Sequence, residues 1–585
     1  MSKLDPLEPA LDWRLIVGLG VLLSVLFAIR VPDVDSENIG NWFHARLFVE
    51  EFRFINLPKS PLYQLYLVPF SLLPHPMSIV VEGMVSNFLS FLPVAVVMWV
   101  CFGRGVGLAA SVFAAPDVLQ TSPASQAFAF AFICLAFLVR MRRPFEGVSN
   151  VNAAYALLLL AWLLRTNTLV VLGVVGAYDL YRMYADRRSK GGPSVGPLSR
   201  HWPVPAVVLS IAVMAVAQSP HRWNNYQQIE MTWQPVKGQI GSVISQMVAN
   251  HYRYRDPKTG GLPFDTYFMH KKFFGDAETI TEMVRANPGE LVRHAGRNAG
   301  GLLTTAVSMT NAGQIGLRFT GLKGMGGNGG PLDHRAVAVV LGTVLAALCG
   351  FMVWRLWVEP ARRELAVLAL GLAAAALVAG LLTNGTSPRI LHTVYGLFMI
   401  MAAFLAERVL VRFRGLRPVA VFAAFLAVFL VTQGGWARAD GAFGWGGVVR
   451  KMATIPTWTP GALFYAGGRS RLFETVSREW RHCAGLMTME MPQHLGAFST
   501  IPRERLFSPF EIPPFGTFGG ADYTGLRVDR VNCVYAPNGA FAPGQGSITN
   551  IKLRFRSYIG PYMQALIDAG ADRIIVPSGV LVIAK

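Results

Sequence analysis

Eleven apolar stretches lie between Leu15 and Gln433, and a chain of 585 residues can bury that many only as a bundle of helices in a bilayer. They fall near 15–31, 79–102, 105–116, 125–139, 151–164, 168–181, 203–218, 336–354, 365–383, 389–406 and 419–435. Several are shorter than the roughly 20 residues a perpendicular span needs, so these are expected to be half-buried or to extend into their flanking loops. Composition agrees: charged residues make up 15%, against about 25% in soluble domains. Hydrophobic residues reach 52% and the mean hydropathy is +0.40. The stretch Leu15–Ile29 lacks a small-residue cleavage site and runs directly into an acidic loop, so it is expected to be an uncleaved first span.

The net charge of +19 does not point to nucleic acid, because the basic residues occupy short loops between apolar runs and no basic stripe with interleaved aromatics occurs. Their distribution instead gives an orientation. With a cytoplasmic N-terminus, RMRR at 140–143, the stretch 182–200, WRLWVEPARRE at 354–364 and ERVLVRFRGLR at 407–417 all fall on one side. The opposite connectors at 116–124 and 384–388 contain no Lys or Arg. This is the pattern of the positive-inside rule. It puts the loop 32–78, the long loop 219–335 and the tail 436–585 outside the cytoplasm.

Those three regions are where function is sought. The first opens with RVPDVDSENIGNWFHA at 30–45, which carries Asp33, Asp35, Glu37 and His44. Carboxylates held at a membrane face are costly unless they do chemistry, bind a cation or pair with a base. INLPKSPLYQLYLVPFSLLPHP follows at 55–76, and its prolines and aromatics predict short helices lying in the interface. In the second region, ANPGELVRHAGRNAGGLL at 286–303 predicts a helix capped by Asn287, with Pro288 in its first turn and Glu290 at capping-box spacing. Arg293 and Arg297 stand one turn apart, with Leu291, Ala295, Ala299 and Leu302 largely on another face, so an amphipathic helix with a basic side resting on the membrane surface is expected. The third region, 436–585, reads as a separate α+β domain. Its end, PYMQALIDAGADRIIVPSGVLVIAK, predicts a helix and two strands joined by a Pro-Ser-Gly turn. Cys483 and Cys533 could pair in an oxidising compartment, whereas Cys101, Cys134 and Cys349 sit in apolar spans. No cysteine or histidine spacing resembles a zinc site, and no phosphate-binding, dinucleotide-binding or nucleophile-elbow motif is present.

The order of these features resembles the GT-C glycosyltransferases, multi-span enzymes that use polyprenyl-phosphate sugars, such as the protein O-mannosyltransferases and the aminoarabinose transferase of lipid A. The resemblance covers roughly 15–435. An acidic loop after the first span precedes Pro-Leu-Tyr at 61–63, and GLAASVFAAPDVLQTSPASQAFAFAFICLAFLVR at 107–140 has the look of two spans split by a polar break. LLLLAWLLRTNTLVVLG at 157–173 and AVAQSPHRWNNYQ at 215–227 resemble the next spans and the exit into a large loop. SPRILHTVYGLFMIMAAFLA at 387–406 resembles the late helix that opens with an arginine facing the lipid phosphate.

The resemblance implies an inverting transfer. A loop carboxylate takes the proton of the acceptor hydroxyl, which is otherwise a weak nucleophile, while a cation stabilises the departing polyprenyl phosphate. The family usually shows Asp directly followed by Glu, whereas this chain has Asp-Val-Asp-Ser-Glu. Asp35 is therefore the first choice of base, Asp33 the second, and Glu37 remains open. Arg389 is the leading phosphate ligand, with Lys59, Arg165, Arg293 and Arg297 as the other candidates. Each has a plain alternative: Asp33 and Asp35 as helix caps, and Arg389, Lys59 and Arg165 as interfacial anchors.

The expected architecture is thus an all-α membrane bundle of about eleven spans, residues 1–435, followed by an extracytoplasmic α+β domain, residues 436–585. The expected partners are a polyprenyl-phosphate-sugar donor, a lipid, glycan or protein acceptor and membrane lipids, with a bacterial inner membrane as the location. No cofactor is implied, although a divalent cation held by Asp33, Asp35 and Glu37 is the alternative, as in a metal-dependent oligosaccharyl transferase or polymerase. A polyprenyl-lipid or polysaccharide transporter is the other rival, but polar clusters here lie at span edges and no internal repeat occurs.

Overall fold

The computed structural model describes residues 11–29, 61–73, 77–118, 125–141, 150–190, 280–310, 332–384, 393–413 and 418–432, with shorter pieces within 42–49, 272–277, 483–488, 506–507, 532–537 and 567–583, and single residues such as 247 and 415. The described chain is mostly helical. Its helices are α1 (Trp13–Ile29), α2 (Pro61–Ser71), α3 (Met77–Val118), α4 (Ser125–Met141), α5 (Asn150–Leu164), α6 (Leu169–Lys190), α7 (Ile280–Ala286), α8 (Pro288–Ser308), α9 (Leu332–Val358), α10 (Arg363–Ala379), α11 (Thr393–Arg412) and α12 (Pro418–Thr432). Among the described residues four helical segments are long and apolar enough to cross a membrane: Val80–Ala115, Val340–Val358, Pro360–Leu382 and Thr393–Arg412. Trp13–Phe27, Ser125–Met141 and Val151–Leu164 are shorter apolar helices. The apolar stretch 203–218 lies outside the described residues.

The expected break between the second and third stretches is visible in α3. Its backbone turns at Gly103, whose φ of 80° is open to glycine at little cost. Just beyond, a Cβ on Gly107 would stand 2.3 Å from the Met98 carbonyl oxygen, so the chain closes on itself there only because glycine has no side chain. α6 runs nine residues past the apolar stretch that predicted it, carrying Tyr184, Arg187 and Arg188 on the same helix.

One end of the bundle is tied by ion pairs. The Arg140 guanidinium, at the end of α4 and only 3% exposed, donates to both Asp179 oxygens of α6 at 2.9 and 2.7 Å and through Nε to Glu364 of α10 at 2.8 Å. Tyr155 of α5 donates to the same Asp179 at 2.9 Å. Arg362 pairs with Glu407, and Arg408 with Glu359, joining the α9–α10 corner to α11. Arg362 also lies over the Phe102 ring at 5.6 Å, and Arg104 reaches Asp12 at 3.5 Å, so the α3 kink and the start of α1 belong to this end. Arg140, Arg362 and Arg408 come from the basic stretches 140–143, 354–364 and 407–417, and acids of other elements or of the same stretches meet them.

A second set of elements is a five-stranded mixed sheet. β1 (Leu486–Thr488) is parallel to both β2 (Leu506–Phe507) and β3 (Cys533–Pro537). β3 and β4 (Asp572–Val576) flank β5 (Gly579–Ile583) antiparallel, giving the order β2-β1-β3-β5-β4. The two terminal strands are those expected from the sequence. Cys483, just before β1, is disulfide-bonded to Cys533 at the start of β3, and the Asn532 side-chain oxygen accepts from the Ala484 and Gly485 amides at 2.6 and 3.2 Å. The free cysteines among the described residues are Cys101, Cys134 and Cys349, buried or half-buried.

Removing one partner of a buried ion pair strands the other charge, at about 3–5 kcal/mol. Arg140→Ala abandons two carboxylates at once. The expected outcome is a loss of that order in mixed-micelle unfolding, while Arg182→Ala, half-exposed and 3.5 Å from Glu364, changes stability by less than about 1 kcal/mol.

Candidate functional site

The opposite end of the bundle is built differently. A helix of 17 residues is about 25 Å long, so α1, whose first turn lies beside Arg104, carries Ile29 to the far end. α4 starts there, α5 ends there, α10 ends there and α11 starts there, because each has its other terminus among the ion pairs.

α2, expected to lie in the interface, is docked on this end. Its Tyr63 and Leu67 are fully buried and form a small core with Trp42, Ala45, Phe128, Ala129 and Leu164, separate from the main core. The Tyr66 ring lies 4.6 Å from Phe128 and 5.7 Å from Tyr63, centroid to centroid. Against this cluster stands Glu82, one turn into α3 and 3% exposed. The Tyr63 hydroxyl donates to its Oε1 at 3.0 Å, and the Tyr66 hydroxyl reaches its backbone carbonyl at 3.5 Å. Burial first, and the Glu82 charge second, push the Tyr66 phenol far up, so it stays a protonated donor. Glu82 is absent from the residues singled out by sequence. It sits alone in MSIVVEGMV, at 77–85, where a single acid in an apolar run is the only signal.

The other feature is a π turn, Gly380–Asn384, that closes α10. Single π turns inside or at the end of α-helices frequently mark functional sites, because the wider turn releases carbonyls from the helical ladder. Here helix α8 takes them up. The Asn298 side-chain amide donates to the Leu381 carbonyl at 2.9 Å, and His294 Nε2 lies 3.1 Å from the Leu382 carbonyl. The start of α8 is as expected, with the Asn287 side chain accepting from the Glu290 amide at 3.1 Å and proline in the first turn.

Its buried positions are Glu290, His294 and Asn298, spaced at four residues, and, toward its end, Thr305 and Val307; Leu291, Ala295, Ala299 and Leu302 are half-buried, and Leu302 and Ala306 pack against the main core. Its first turns meet the π turn through polar groups that answer the released carbonyls. The Glu290 carboxylate holds Arg293 at 2.7 Å.

The candidate residues divide accordingly. Asp33, Asp35, Glu37, Lys59 and Arg389 lie outside the described residues, as do His44 and His270. Arg165 is half-buried where α5 passes into the 3₁₀ turn Thr166–Thr168, and its carbonyl accepts from the Thr168 hydroxyl at 2.7 Å. Arg293 is 40% exposed and ion-paired, which neutralises much of its attraction for a phosphate. Arg297 is half-buried on α8. Among the described residues no three His, Cys, Asp or Glu side chains gather as metal ligands. Comparison of the chain with known protein families, with curated proteins and with solved structures returns no match.

The buried Tyr63–Glu82 pair can be tested on its own. Tyr63→Phe leaves a buried carboxylate without its phenol donor, which costs about 1–3 kcal/mol. Replacing both partners by apolar groups is close to neutral, so Tyr63→Phe/Glu82→Leu is expected to recover most of that loss in mixed-micelle unfolding. A double variant less stable than Tyr63→Phe would show that Glu82 serves the fold through other contacts.

Proposed function

We propose that the chain is an integral membrane glycosyltransferase that moves a sugar from a polyprenyl-phosphate donor to a lipid, glycan or protein acceptor at the extracytoplasmic face. The observation that carries this reading is the shared end of the bundle. The segment 30–60, with Asp33, Asp35 and Glu37, leaves α1 and enters α2, and both of those helix ends lie at the end opposite the ion pairs. Arg389 falls in the sequence between the π turn and α11, whose start lies at that same end. A general base and a phosphate-binding guanidinium are the two parts the chemistry requires, and here they are carried by segments flanked by α1, α2 and α11, each of which packs on α3.

In this reading Asp35 accepts the proton of the acceptor hydroxyl as it attacks the anomeric carbon. Arg389 stabilises the charge that grows on the departing polyprenyl phosphate, since a guanidinium offers two parallel hydrogen bonds where lysine offers a point charge. The α8 stripe His294–Asn298 anchors the π turn from which the Arg389 segment starts, and so gives that segment a fixed root.

The full topology has eleven spans with residues 436–585 as an extracytoplasmic domain. The ion-paired end, rich in arginine, suits the cytoplasmic face, and the Cys483–Cys533 disulfide suits an oxidising compartment such as a bacterial periplasm.

Loss of a general base costs about two to four decades in rate. Asp35→Asn is expected to show that loss in a membrane transfer assay with protein yield unchanged, and Arg389→Lys to weaken donor dependence at equal yield. Full activity in both Asp33→Asn and Asp35→Asn would overturn the mechanism. For topology, cysteines introduced at Gly260 and Gly544 are expected to react with an impermeant thiol reagent on intact cells, whereas one at Gly191 stays protected. The inverse pattern would move the site to the cytoplasm.

A further inference from the structure

At the end of the bundle that holds Glu82 and the π turn, four buried side-chain oxygens have no hydrogen-bond partner among the described residues: Ser125 Oγ, Gln126 Oε1, Asn167 Oδ1 and Thr393 Oγ1. Ser125 and Thr393 are 0% exposed and Gln126 is 3% exposed. Buried polar atoms are almost always satisfied in folded proteins, so each exception calls for a reason. Four that gather at one end of the molecule, on three separate elements, call for a common one.

The elements are neighbours at this level. A Cβ on Gly396 would stand 2.5 Å from the Phe130 ring, so α11 and α4 touch where a glycine makes room. Thr393 is one turn outward from Gly396, and Gln126 is one turn outward from Phe130. Likewise Leu164 shares the small core with Phe128 and Ala129, and Asn167 follows Leu164 by three residues. The apolar contacts therefore form a floor, and the unsatisfied oxygens form a tier just beyond it. The Tyr63–Glu82 pair flanks that tier through Phe128, 6.0 Å from the Tyr63 ring.

We propose that Ser125, Gln126, Asn167 and Thr393 line a pocket that binds the sugar ring of a glycosyl donor through its hydroxyl groups. The ligand class follows from the chemistry of the lining. Two hydroxyls and two carboxamides carry no charge and offer both donors and acceptors. A sugar hydroxyl also donates and accepts, so it satisfies a carboxamide in either orientation, which neither a pure anion nor a pure cation does. The proposal rests on the glycosyl-transfer reading for the identity of the donor, and it assigns the sugar to α4, the 166–168 turn and α11, while the phosphate falls to arginine.

The test uses the full chain in lipid nanodiscs, with farnesyl phosphate and its glucosyl, mannosyl and 4-aminoarabinosyl derivatives as probes, and the variants Thr393→Val, Gln126→Met and Ser125→Ala. Wild type is expected to bind at least one glycosylated probe more tightly than farnesyl phosphate. Each variant is expected to lose about tenfold in affinity for that probe, the scale of one good hydrogen bond, while keeping its affinity for farnesyl phosphate. Melting temperatures should hold or rise, because deleting an unsatisfied oxygen removes no bond of the protein.

If the variants bind the glycosylated probe within twofold of wild type, or if every variant melts several degrees lower, the oxygens serve buried water or the fold and the proposal is overturned. It is also overturned if wild type prefers no glycosylated probe over farnesyl phosphate, an outcome that leaves the phosphate site standing. Binding of no probe at all defeats the glycosyl-transfer reading itself, and the sugar pocket with it.

Discussion

The Arg140 guanidinium, nearly buried between Asp179 and Glu364, is the constraint from which the arrangement of the helices follows. A buried charge without a partner is far more costly than any single packing contact in the bundle. The end of α4, the middle of α6 and the start of α10 are therefore compelled to meet. With Arg362–Glu407 and Arg408–Glu359 beside them, α9 and α11 are drawn to the same plane. Apolar helices in a bilayer gain little from one another by hydrophobic burial, because lipid tails are as apolar as leucine. Polar ties at the helix ends and close steric fits, such as Gly396 on Phe130 and Gly371 on Val171, choose the neighbours instead.

The other end of the bundle is held by different means. There Glu290 holds Arg293 within α8, and the polar ties between helices are of another kind. Glu82 is held by a phenol, the π-turn carbonyls by an amide and an imidazole, and several oxygens by nothing in the described protein. Such an end is pre-organised yet unsatisfied, which is the condition for recognising a polar ligand in a low-dielectric setting. The two ends of the bundle thus differ in how their polar groups are satisfied.

Much of this is legible in the amino-acid order. The break at Gly103, the Asn287 cap, the two terminal strands and the pairing of the only two cysteines in 436–585 follow from local rules: glycine conformation, capping chemistry, alternation and thiol scarcity. What hydrophobic spacing does not show in α8 is that Glu290, His294 and Asn298 are buried along with Thr305 and Val307, because its first turns meet a π turn whose released carbonyls call for polar partners. Glu82 escapes a reading of the sequence for a related reason: its meaning depends on Tyr63, nineteen residues away on another helix.

What the order of residues decides unaided is the short-range chemistry. The apolar run lengths require helices, and glycine and capping residues set where some of them bend and begin. Only the packing of distant elements decides which arginines are spent on ion pairs, as Arg140 and Arg293 are, and which buried oxygens are left unsatisfied. The physical reason is that the value of a polar group in an apolar medium lies in its partner, and partners here come from elements separated by as many as 224 residues along the chain.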